Sequence, residues 1–297
     1  MSRQLLLVTV IGLIATPLLG QPPGMGAQNW ENFEISRPQH VAGNIYNVVG
    51  GIIVNMAFSV GDDGIVLVDS NFAALTEKIV GSIREISDEP IRFVIDTHDH
   101  ADHADGNVNF GRAGAIIVAH DTARERLANP SQGEPAAPIA LPIVTFAEGI
   151  SFHVNGEEVE AIHVTAGHTD GDVLIFFRGS NVIHMGDVFV GQYPIVDTTR
   201  GGSYLGLIET LDRAIALVGP ETRVIPGHGP VSDRDDMIEY RDMLQSIYER
   251  VSALARAGRS IEQIIASNPS RNYDERWAGG RGSDGIVRAA YREASGQ

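Results

Sequence analysis

The sequence predicts an α/β protein built as a four-layer αββα sandwich with a helical tail at its C-terminus. Strand-like runs of apolar and β-branched residues form two similar groups along the chain, and segments with a helical period accompany each group. The chain has 297 residues, of which 43% are hydrophobic and 20% charged, so it has enough apolar material for a large core. We therefore expect two sheets packed face to face with helices outside them.

The N-terminal residues predict an export signal. Arg3 precedes an apolar run from Leu5 to Ala15, which is broken by Pro17 and followed by small residues up to Ala27. This run is shorter than the roughly 20 residues that a spanning helix needs, and no later segment reaches that length. We expect residues 1–27 to be a signal peptide and linker, and the mature protein to be periplasmic or secreted without a membrane span. An uncleaved anchor is the alternative.

Residues 28–232 carry the patterns of a single domain. The first half opens with three strand patterns, and apolar residues three and four apart from Phe72 to Ile86 then indicate a helix. The opening strands are Ile45–Val49, Ile52–Val60 and Ile65–Val68. After the helix we predict strands at Ile91–Ile95 and Ala115–Val118, a helix at Thr122–Leu127 and a proline-containing loop at Asn129–Pro142.

The second half repeats this order, and a helical extension follows it. Its strand patterns lie at Ile150–Val154, Glu158–Val164, Val173–Phe177, Val182–Met185 and Arg223–Ile225, with a helix at Tyr204–Val218. From residue 233 to residue 297 the apolar residues recur at helical spacing, which predicts helices packed on the same domain.

Charge and cysteine content exclude several classes of function. The formal net charge of −16 argues against nucleic acid as a partner, because binding phosphates requires a dense basic face, and favours a small-molecule substrate. The chain contains no cysteine, which excludes disulfides, thiolate nucleophiles and cysteine-bound zinc. Any metal ion must therefore be held by histidine and carboxylate side chains.

The strongest pattern is H-x-H-x-D-H, formed by His98, His100, Asp102 and His103. Imidazole and carboxylate groups are the zinc ligands open to a chain without cysteine, and four of them within six residues are hard to explain without a cation. Alternate residues of an extended backbone point the same way, so His98 and His100 can share one ion while Asp102 and His103 reach a second. A polar, solvated loop is the alternative explanation.

Three further metal-competent residues stand beside glycines and after predicted strands: His168, Asp187 and His228. Glycine permits the sharp turns and close approaches that a metal loop needs, although it also occurs in ordinary turns. Because side chains at successive strand ends can converge on one edge of a sheet sandwich, the set predicts a shared site.

The order H-x-H-x-D-H, Gly-His, Gly-Asp and Pro-Gly-His-Gly resembles the metallo-β-lactamase superfamily over Val41–Ser232, including Leu67-Val68-Asp69 in the first sheet. The resemblance implies two zinc ions per chain. It places His98, His100 and His168 on the first ion and Asp102, His103 and His228 on the second, with Asp187 bridging the two. The pattern is closer to the glyoxalase-II, lactonase and cyclase-like branches than to the β-lactamases that use a cysteine.

The resemblance implies a hydrolase in which a metal-bridging hydroxide attacks the carbonyl of a β-lactam, lactone, ester or thioester. Asp102 is expected to orient the hydroxide and relay its proton, and Tyr193 to donate to the developing oxyanion. Arg200 is a candidate for holding a substrate carboxylate, in a loop that also contains Asp197. β-Lactamase activity is one candidate within this class.

Four further residues have predicted supporting roles, and two alternative functions stay open. Asp69 and Asp99 are expected to accept the outer N–H of ligand histidines, and His163 and His184 to be buried or supporting residues. Two other functions stay open, namely a phosphodiesterase with the same two-metal centre and a protein in which the ligands hold iron or a structural zinc ion.

Overall fold

The computed structural model describes residues 30–50, 54–131 and 133–296. The predicted signal peptide at 1–27 lies outside these residues, as do Ile52 and Ile53 of the predicted strand Ile52–Val60.

A first sheet of seven strands runs in chain order from edge to edge. Its first four strands pair antiparallel, and strands four to seven pair parallel. The strands are β1 (Gln39–Ala42), β2 (Ile45–Gly50), β3 (Val54–Ser59), β4 (Ile65–Val68), β5 (Ile91–Ile95), β6 (Ile116–His120) and β7 (Val144–Phe146).

A second sheet of five strands has the order β12-β11-β10-β9-β8. All its pairs are antiparallel except β11 with β12, which is parallel. The strands are β8 (Gly149–Val154), β9 (Glu157–His163), β10 (Val173–Phe177), β11 (Val182–His184) and β12 (Arg223–Ile225).

The helices flank the two sheets. They are α1 (Thr76–Ile83), α2 (Ala101–Ala104), α3 (Asn107–Arg112), α4 (Asp121–Ala128), α5 (Tyr204–Leu217), α6 (Arg234–Arg256), α7 (Ile261–Ala266), α8 (Asp274–Trp277) and α9 (Asp284–Ser295). Short 3-10 turns precede several of them, including Thr198–Arg200 ahead of α5.

Three hydrophobic clusters confirm the four layers. Val68 and Ile95 of the first sheet meet Ile175 of the second in a cluster between the sheets. Ile79 of α1 packs on the outer face of the first sheet, with side chains that include Leu67. The third cluster covers the outer face of the second sheet with α5, α6 and α9. The predicted αββα sandwich with C-terminal helices is thus the observed architecture.

The sequence missed the elements with little apolar periodicity. Four elements were not predicted: the edge strand β1, the short strand β7 and the helices α2 and α3. Each has only three to six residues, which is too few to show the apolar period of a strand or a helix. Helix α2 lies inside the histidine-rich motif, which the sequence indicated only as a polar stretch. No helix in the described ranges has the length and apolar content needed to cross a membrane.

Candidate metal centre

The H-x-H-x-D-H motif occupies the turn between β5 and α2. Strand β5 ends at Ile95, and His100 is the N-cap of α2 with extended backbone (φ −67°, ψ 148°). Asp102 and His103 lie in the first turn of that helix, so the chain reverses direction between the two halves of the motif. The side chains of His98 and His103 are almost fully buried.

Three imidazoles form a first group of metal-competent nitrogens. Nδ1 of His100 lies 3.1 Å from Nε2 of His98 and 2.8 Å from Nε2 of His168. These three nitrogens all lie within 4.8 Å of one another. The structure therefore brings together the three residues that the sequence assigned to the first ion.

A second group contains Asp102, His103 and His228. Oδ2 of Asp102 is 3.4 Å from Nε2 of His228 and 3.8 Å from Nε2 of His103. These residues also offer ligand atoms within 4.8 Å of one another. They are the three residues assigned to the second ion.

Asp187 lies between the two groups. Its Oδ2 is 3.7 Å from Nε2 of His168, and its Oδ1 is 3.3 Å from Nε2 of both His103 and His228. One carboxylate oxygen thus faces each group. This is the arrangement that a bridging carboxylate needs.

The donor set fits a divalent cation. Nε2 of His103 and Oδ1 of Asp187 are both buried and have no hydrogen-bond partner. Leaving such groups without a partner costs free energy, about 1–3 kcal/mol for each group. A cation bound between them would satisfy both atoms, and nitrogen and oxygen ligands of this kind suit zinc.

Opposite charges hold Asp187 and His103 in their charged forms. Burial alone would raise the pKa of Asp187, but the facing His228 and His103 hold it well below its ordinary value. Burial alone would lower the pKa of His103, but Asp69 and Asp187 raise it well above its ordinary value. The Asp187 carboxylate is therefore ionised at neutral pH, as a metal ligand must be, and a metal ion that binds His103 has to replace the proton on its imidazole.

Four of the five histidines in the two groups have a protein partner at the ring nitrogen that faces away from the group. Nδ1 of His98 lies 3.1 Å from Oγ1 of Thr97, and Nδ1 of His103 lies 2.7 Å from Oδ2 of Asp69. Nδ1 of His168 is 2.8 Å from the carbonyl oxygen of Ile195. Nε2 of His100 is 3.0 Å from Oδ2 of Asp197. Such contacts fix the tautomer and orientation of each ring and leave the other nitrogen for metal.

Of the two predicted supporting carboxylates, Asp69 is confirmed and Asp99 is not. Asp69 also accepts hydrogen bonds from the amide and hydroxyl of Thr97, at 2.7 and 2.9 Å. Asp99 instead pairs with Arg200 at 2.8 Å and lies 3.6 Å from Arg126. Asp99 is thus neutralised by arginines, and Asp197 has the supporting contact to His100.

Tyr193 and Arg200 have partners that differ from the predicted ones. Tyr193 is buried in the hydrophobic cluster of the C-terminal helices, and its hydroxyl donates to Oδ1 of Asp274 at 2.8 Å. Arg200 donates to both Asp99 and Asp197, so its charge is already balanced. The structure therefore does not bring Tyr193 to the two metal groups, and it shows no free guanidinium at Arg200 for a substrate carboxylate.

Two residues outside the motifs are placed as expected. His184 is fully buried, and its Nε2 lies 3.2 Å from the carbonyl oxygen of Asn55. His163 is partly buried and stacks on His120, with ring centroids 3.8 Å apart.

Sequence reasoning missed Asn55, which holds the loop that carries His228. The side-chain amide of Asn55 donates to the carbonyl oxygens of Pro226 and Gly229, both at 2.8 Å, and its backbone amide donates to Gly227 at 2.9 Å. Its only signal in the sequence is a single amide side chain in the otherwise apolar run Ile52–Phe58.

Curated relatives share low identity with the chain. It is 26% identical over 187 residues to the 2,4-dinitroanisole O-demethylase subunit alpha of Nocardioides sp. (strain JS1661), a match that covers 60% of this chain and 52% of that protein. It is 21% identical over 253 residues to the linear primary-alkylsulfatase of Pseudomonas sp. (strain ATCC 19151), covering 68% and 47%. The metallo-beta-lactamase type 2 of Bacillus cereus is 25% identical over 199 residues, covering 66% and 72%. The chain thus spans about half the length of the first two relatives.

Solved structures show the same fold. A metallo-beta-lactamase from Pontibacter korlensis superposes with a TM-score of 0.61 at 20% identity, covering 70% of this chain and 98% of that one. The sec-alkylsulfatase Pisa1 from Pseudomonas sp. superposes with a TM-score of 0.70 at 18% identity, covering 86% and 50%. The model of the metallo-beta-lactamase superfamily matches residues 49–228, more than half of the chain. Together with the His/Asp groups at one edge of the αββα sandwich, this match shows that the chain belongs to the metallo-β-lactamase superfamily.

Proposed function

We propose that the protein is a two-zinc hydrolase that cleaves a carbonyl substrate: an ester, lactone, thioester or β-lactam. The observation that carries this proposal is the position of Asp187, whose two oxygens face the two groups of histidines at 3.3 to 3.7 Å. One ion would be held by His98, His100 and His168. The other would be held by Asp102, His103 and His228.

Two zinc ions in such a site supply a nucleophile by lowering the pKa of water and polarise the scissile carbonyl. The chain's own contribution is to hold the ligands and to orient the attacking water. Burial would raise the pKa of Asp102, but His103 and His228 lower it to about 2. Asp102 is therefore ionised at neutral pH and can accept a hydrogen bond from the attacking water, which orients it.

The exposure of the ligands supports an open, catalytic site over a structural one. The side chains of His98 and His103 are 1% exposed or less, whereas those of His100 and Asp102 are each 19% exposed. The centre thus has a closed floor and an accessible face. A structural zinc site is normally closed and four-coordinate.

The arginines beside the motif favour a carbonyl substrate over a sulfate or phosphate ester. Arg200 is paired with Asp99 and Asp197, and Arg126 is paired with Asp170. Recognition of a sulfate or phosphate ester normally uses arginine side chains that are free to form bidentate contacts. The acidic net charge of −16 adds to this preference and argues against a nucleic-acid substrate.

Sulfate-ester hydrolysis is a second candidate, which the linear primary-alkylsulfatase relative supports. A two-metal centre also suits displacement at phosphorus, so a phosphodiester is a further substrate to test.

We also propose export to the periplasm or outside the cell, on the strength of the N-terminal pattern. The N-terminal sequence of the mature protein tests export, because a signal peptide is absent from it.

The experiment for the proposed function combines metal analysis with a substrate panel. The panel contains a chromogenic β-lactam, an aryl lactone, an aryl ester, a glutathione thioester, an alkyl sulfate and an aryl phosphodiester, each assayed before and after chelation. We expect two zinc ions per chain and chelator-sensitive cleavage of a carbonyl substrate. His228→Ala should abolish this activity, while His153→Ala, at an exposed strand position, should preserve it.

Other outcomes of the panel overturn parts of the proposal. Cleavage of the alkyl sulfate or the phosphodiester alone would replace the carbonyl substrate with that ester. Iron in place of zinc, without hydrolysis, would support the non-hydrolytic alternative. Failure to bind zinc even after reconstitution would remove the two-metal centre altogether.

A further inference from the structure

One segment supplies the outer partners of two first-site ligands. In the segment Ile195–Ser203, the carbonyl oxygen of Ile195 lies 2.8 Å from Nδ1 of His168, and Oδ2 of Asp197 lies 3.0 Å from Nε2 of His100. The third first-site ligand, His98, has its outer contact within its own motif, to Thr97. The orientation of two of the three imidazoles therefore depends on where this segment lies.

The Asp197 carboxylate is held rigidly within the segment. Its Oδ1 accepts hydrogen bonds from the amide and the hydroxyl of Thr199, at 2.9 and 2.6 Å. Its Oδ2 accepts from Nη1 of Arg200 at 3.0 Å, and Nε of the same arginine donates to Asp99 at 2.8 Å. Any movement of this turn would therefore move the oxygen that contacts His100.

The C-terminal helix α9 is bonded to the segment near its middle and at its C-terminal end. Nη1 of Arg292 donates to Oγ1 of Thr198 at 3.0 Å, next to Asp197. Oε1 of Glu293 accepts from the hydroxyl of Ser203 at 2.7 Å and from the amide of Tyr204 at 2.9 Å. The two residues are adjacent in α9 and lie about one turn from its end.

Apolar contacts also reach this junction, because Val196 packs against the hydrophobic cluster that contains Tyr204 and Ala289. A cavity of about 220 Å³ lies between the segment and α9. Arg292 and Glu293 line it together with Val196, Thr198 and Tyr204. Arg292 and Glu293 supply hydrogen bonds that join α9 to the segment beside this cavity.

Among the described residues, the second metal site makes no comparable contact with α9. Its ligand His103 is supported by Asp69 at the end of β4, and the loop of His228 is supported by Asn55 in β3. Both supports belong to the first sheet, on the other side of the sandwich from α9. The loop of His228 is also bonded to the backbone of Gly186, Phe189 and Gly191, so these supports of the second site lie outside both α9 and the segment Ile195–Ser203.

We propose that helix α9 positions the first metal site: Arg292 and Glu293 fix the segment Ile195–Ser203, and Asp197 in that segment sets the orientation of His100. Asp197, Arg292 and Glu293 are positioning residues, because none of them belongs to the two groups of metal ligands. The inference rests on the metal centre of the proposed function and is independent of the substrate.

The test measures zinc affinity at each site in the full chain, by competition with a chromophoric chelator. Cobalt-substituted His100→Ala and His228→Ala proteins supply the reference spectra for loss of the first and second site. Loss of an outer partner typically weakens metal binding by about 10–100-fold. We expect a loss of this size at the first site in Asp197→Ala and of about 10-fold in the double variant Arg292→Ala/Glu293→Ala, with the second site unchanged.

Two control variants separate positioning from general damage to the helix. Arg288→Ala removes an exposed arginine of the same helix and should leave both affinities unchanged. Glu293→Gln keeps an oxygen that can accept from Ser203 and Tyr204, so it should retain the first site. If Glu293→Ala does not fold, Arg292→Ala alone gives the measurement, because Arg292 is exposed.

Wild-type affinity at the first site in the folded double variant would overturn the proposal, as would an equal loss at both sites. Failure of the proposed function looks different from either result. In that case either no substrate of the panel is cleaved while the two zinc affinities can still be compared, or the wild-type protein itself binds no zinc.

Discussion

Oδ2 of Asp69 lies 2.7 Å from Nδ1 of His103, and both side chains are fully buried beneath the metal centre. Asp69 follows β4 with a backbone φ of +64°, a left-handed conformation that aspartate and asparagine adopt more readily than most residues. This conformation turns its carboxylate towards the loop after β5. A single buried acid thus joins the end of one strand to the metal ligand that follows the next.

Asp69→Ala should weaken zinc binding at the second site by about 10–100-fold, because His103 loses the group that orients its ring. The free energy of unfolding of the metal-free protein should fall by about 1–3 kcal/mol, since the amide of Thr97 and Nδ1 of His103 both lose their partner. Chelator competition and urea unfolding measure the two effects. Asp69→Asn keeps the left-handed backbone but turns one acceptor into a donor, so we expect it to lose affinity as well, and wild-type zinc affinity in Asp69→Ala would contradict the assigned role.

Gly227→Ala should disrupt the bridge between the two metal groups. A Cβ at Gly227 would overlap Oδ1 of Asp187 and the backbone of Gly186. We expect the variant to lose tight zinc binding, and with it hydrolysis, although its fold is retained. Metal analysis after dialysis and circular dichroism check this.

Gly81→Ala is the matched control for the glycine substitution. Gly81 lies within α1, and an added Cβ there meets nothing within 4 Å. This change should stabilise the protein by about 0.5–1 kcal/mol, as expected for alanine replacing glycine in a helix, and leave zinc binding unchanged. Two zinc ions bound at wild-type affinity in Gly227→Ala would show that the loop can move away from Asp187.

The ligands could be predicted from the sequence, but most of their supporting residues could not. His98, His100, Asp102 and His103 are adjacent in the chain, so their chemistry is visible as a pattern. The contact between His100 and Asp197 joins residues 97 positions apart, and it exists only because the two sheets and α5 bring two loops together. The support for His168 is a backbone carbonyl, which has no signature in the sequence.

The limits of the strands could likewise be predicted for some strands and not for others. Residues buried on both faces, as in Val173–Phe177 and Ile65–Val68, give continuous apolar runs whose limits the sequence shows directly. The role of Tyr193 was misassigned because its position after Asp187 suggested the site, whereas packing against the C-terminal helices determines its partners.

Ile286→Ala should destabilise the whole protein in one transition. Ile286 in α9 is 1% exposed and shares a hydrophobic cluster with Leu211 of α5 and Leu174 of β10. Removing a buried isoleucine side chain to alanine costs about 2–5 kcal/mol. If residues 233–297 fold with the rest of the chain, this loss lowers the stability of both outer layers together.

The two tryptophans make this measurable. Trp277 lies in the C-terminal cluster and Trp30 packs on the outer cluster of the first sheet. Trp30→Phe and Trp277→Phe backgrounds each leave one fluorescent probe for urea unfolding. We expect Ile286→Ala to shift both probes to the same lower midpoint, and Ile79→Ala in α1 to do likewise. A shift seen by Trp277 alone would mean that the C-terminal extension unfolds separately.

Acid should destabilise the protein partly through His163. Burial and the charge of the stacked His120 lower the pKa of His163 below its ordinary value of 6.5. The unfolded chain therefore binds more protons than the folded chain below about pH 6.5. The part of the free energy of unfolding that depends on neutral His163 is fully present above the pKa of this residue in the unfolded chain. It is lost as the pH falls through the lower pKa of the folded chain.

His163→Phe keeps an aromatic ring against His120 but removes the titrating group. We expect its free energy of unfolding to fall less than that of the wild type between about pH 7.5 and about pH 5.5. The metal ligands also titrate, but they are identical in the two proteins, so the difference isolates His163. His153→Phe, at an exposed position, should follow the wild-type curve. Parallel curves for wild type and His163→Phe would show that the stacked pair does not contribute to acid sensitivity.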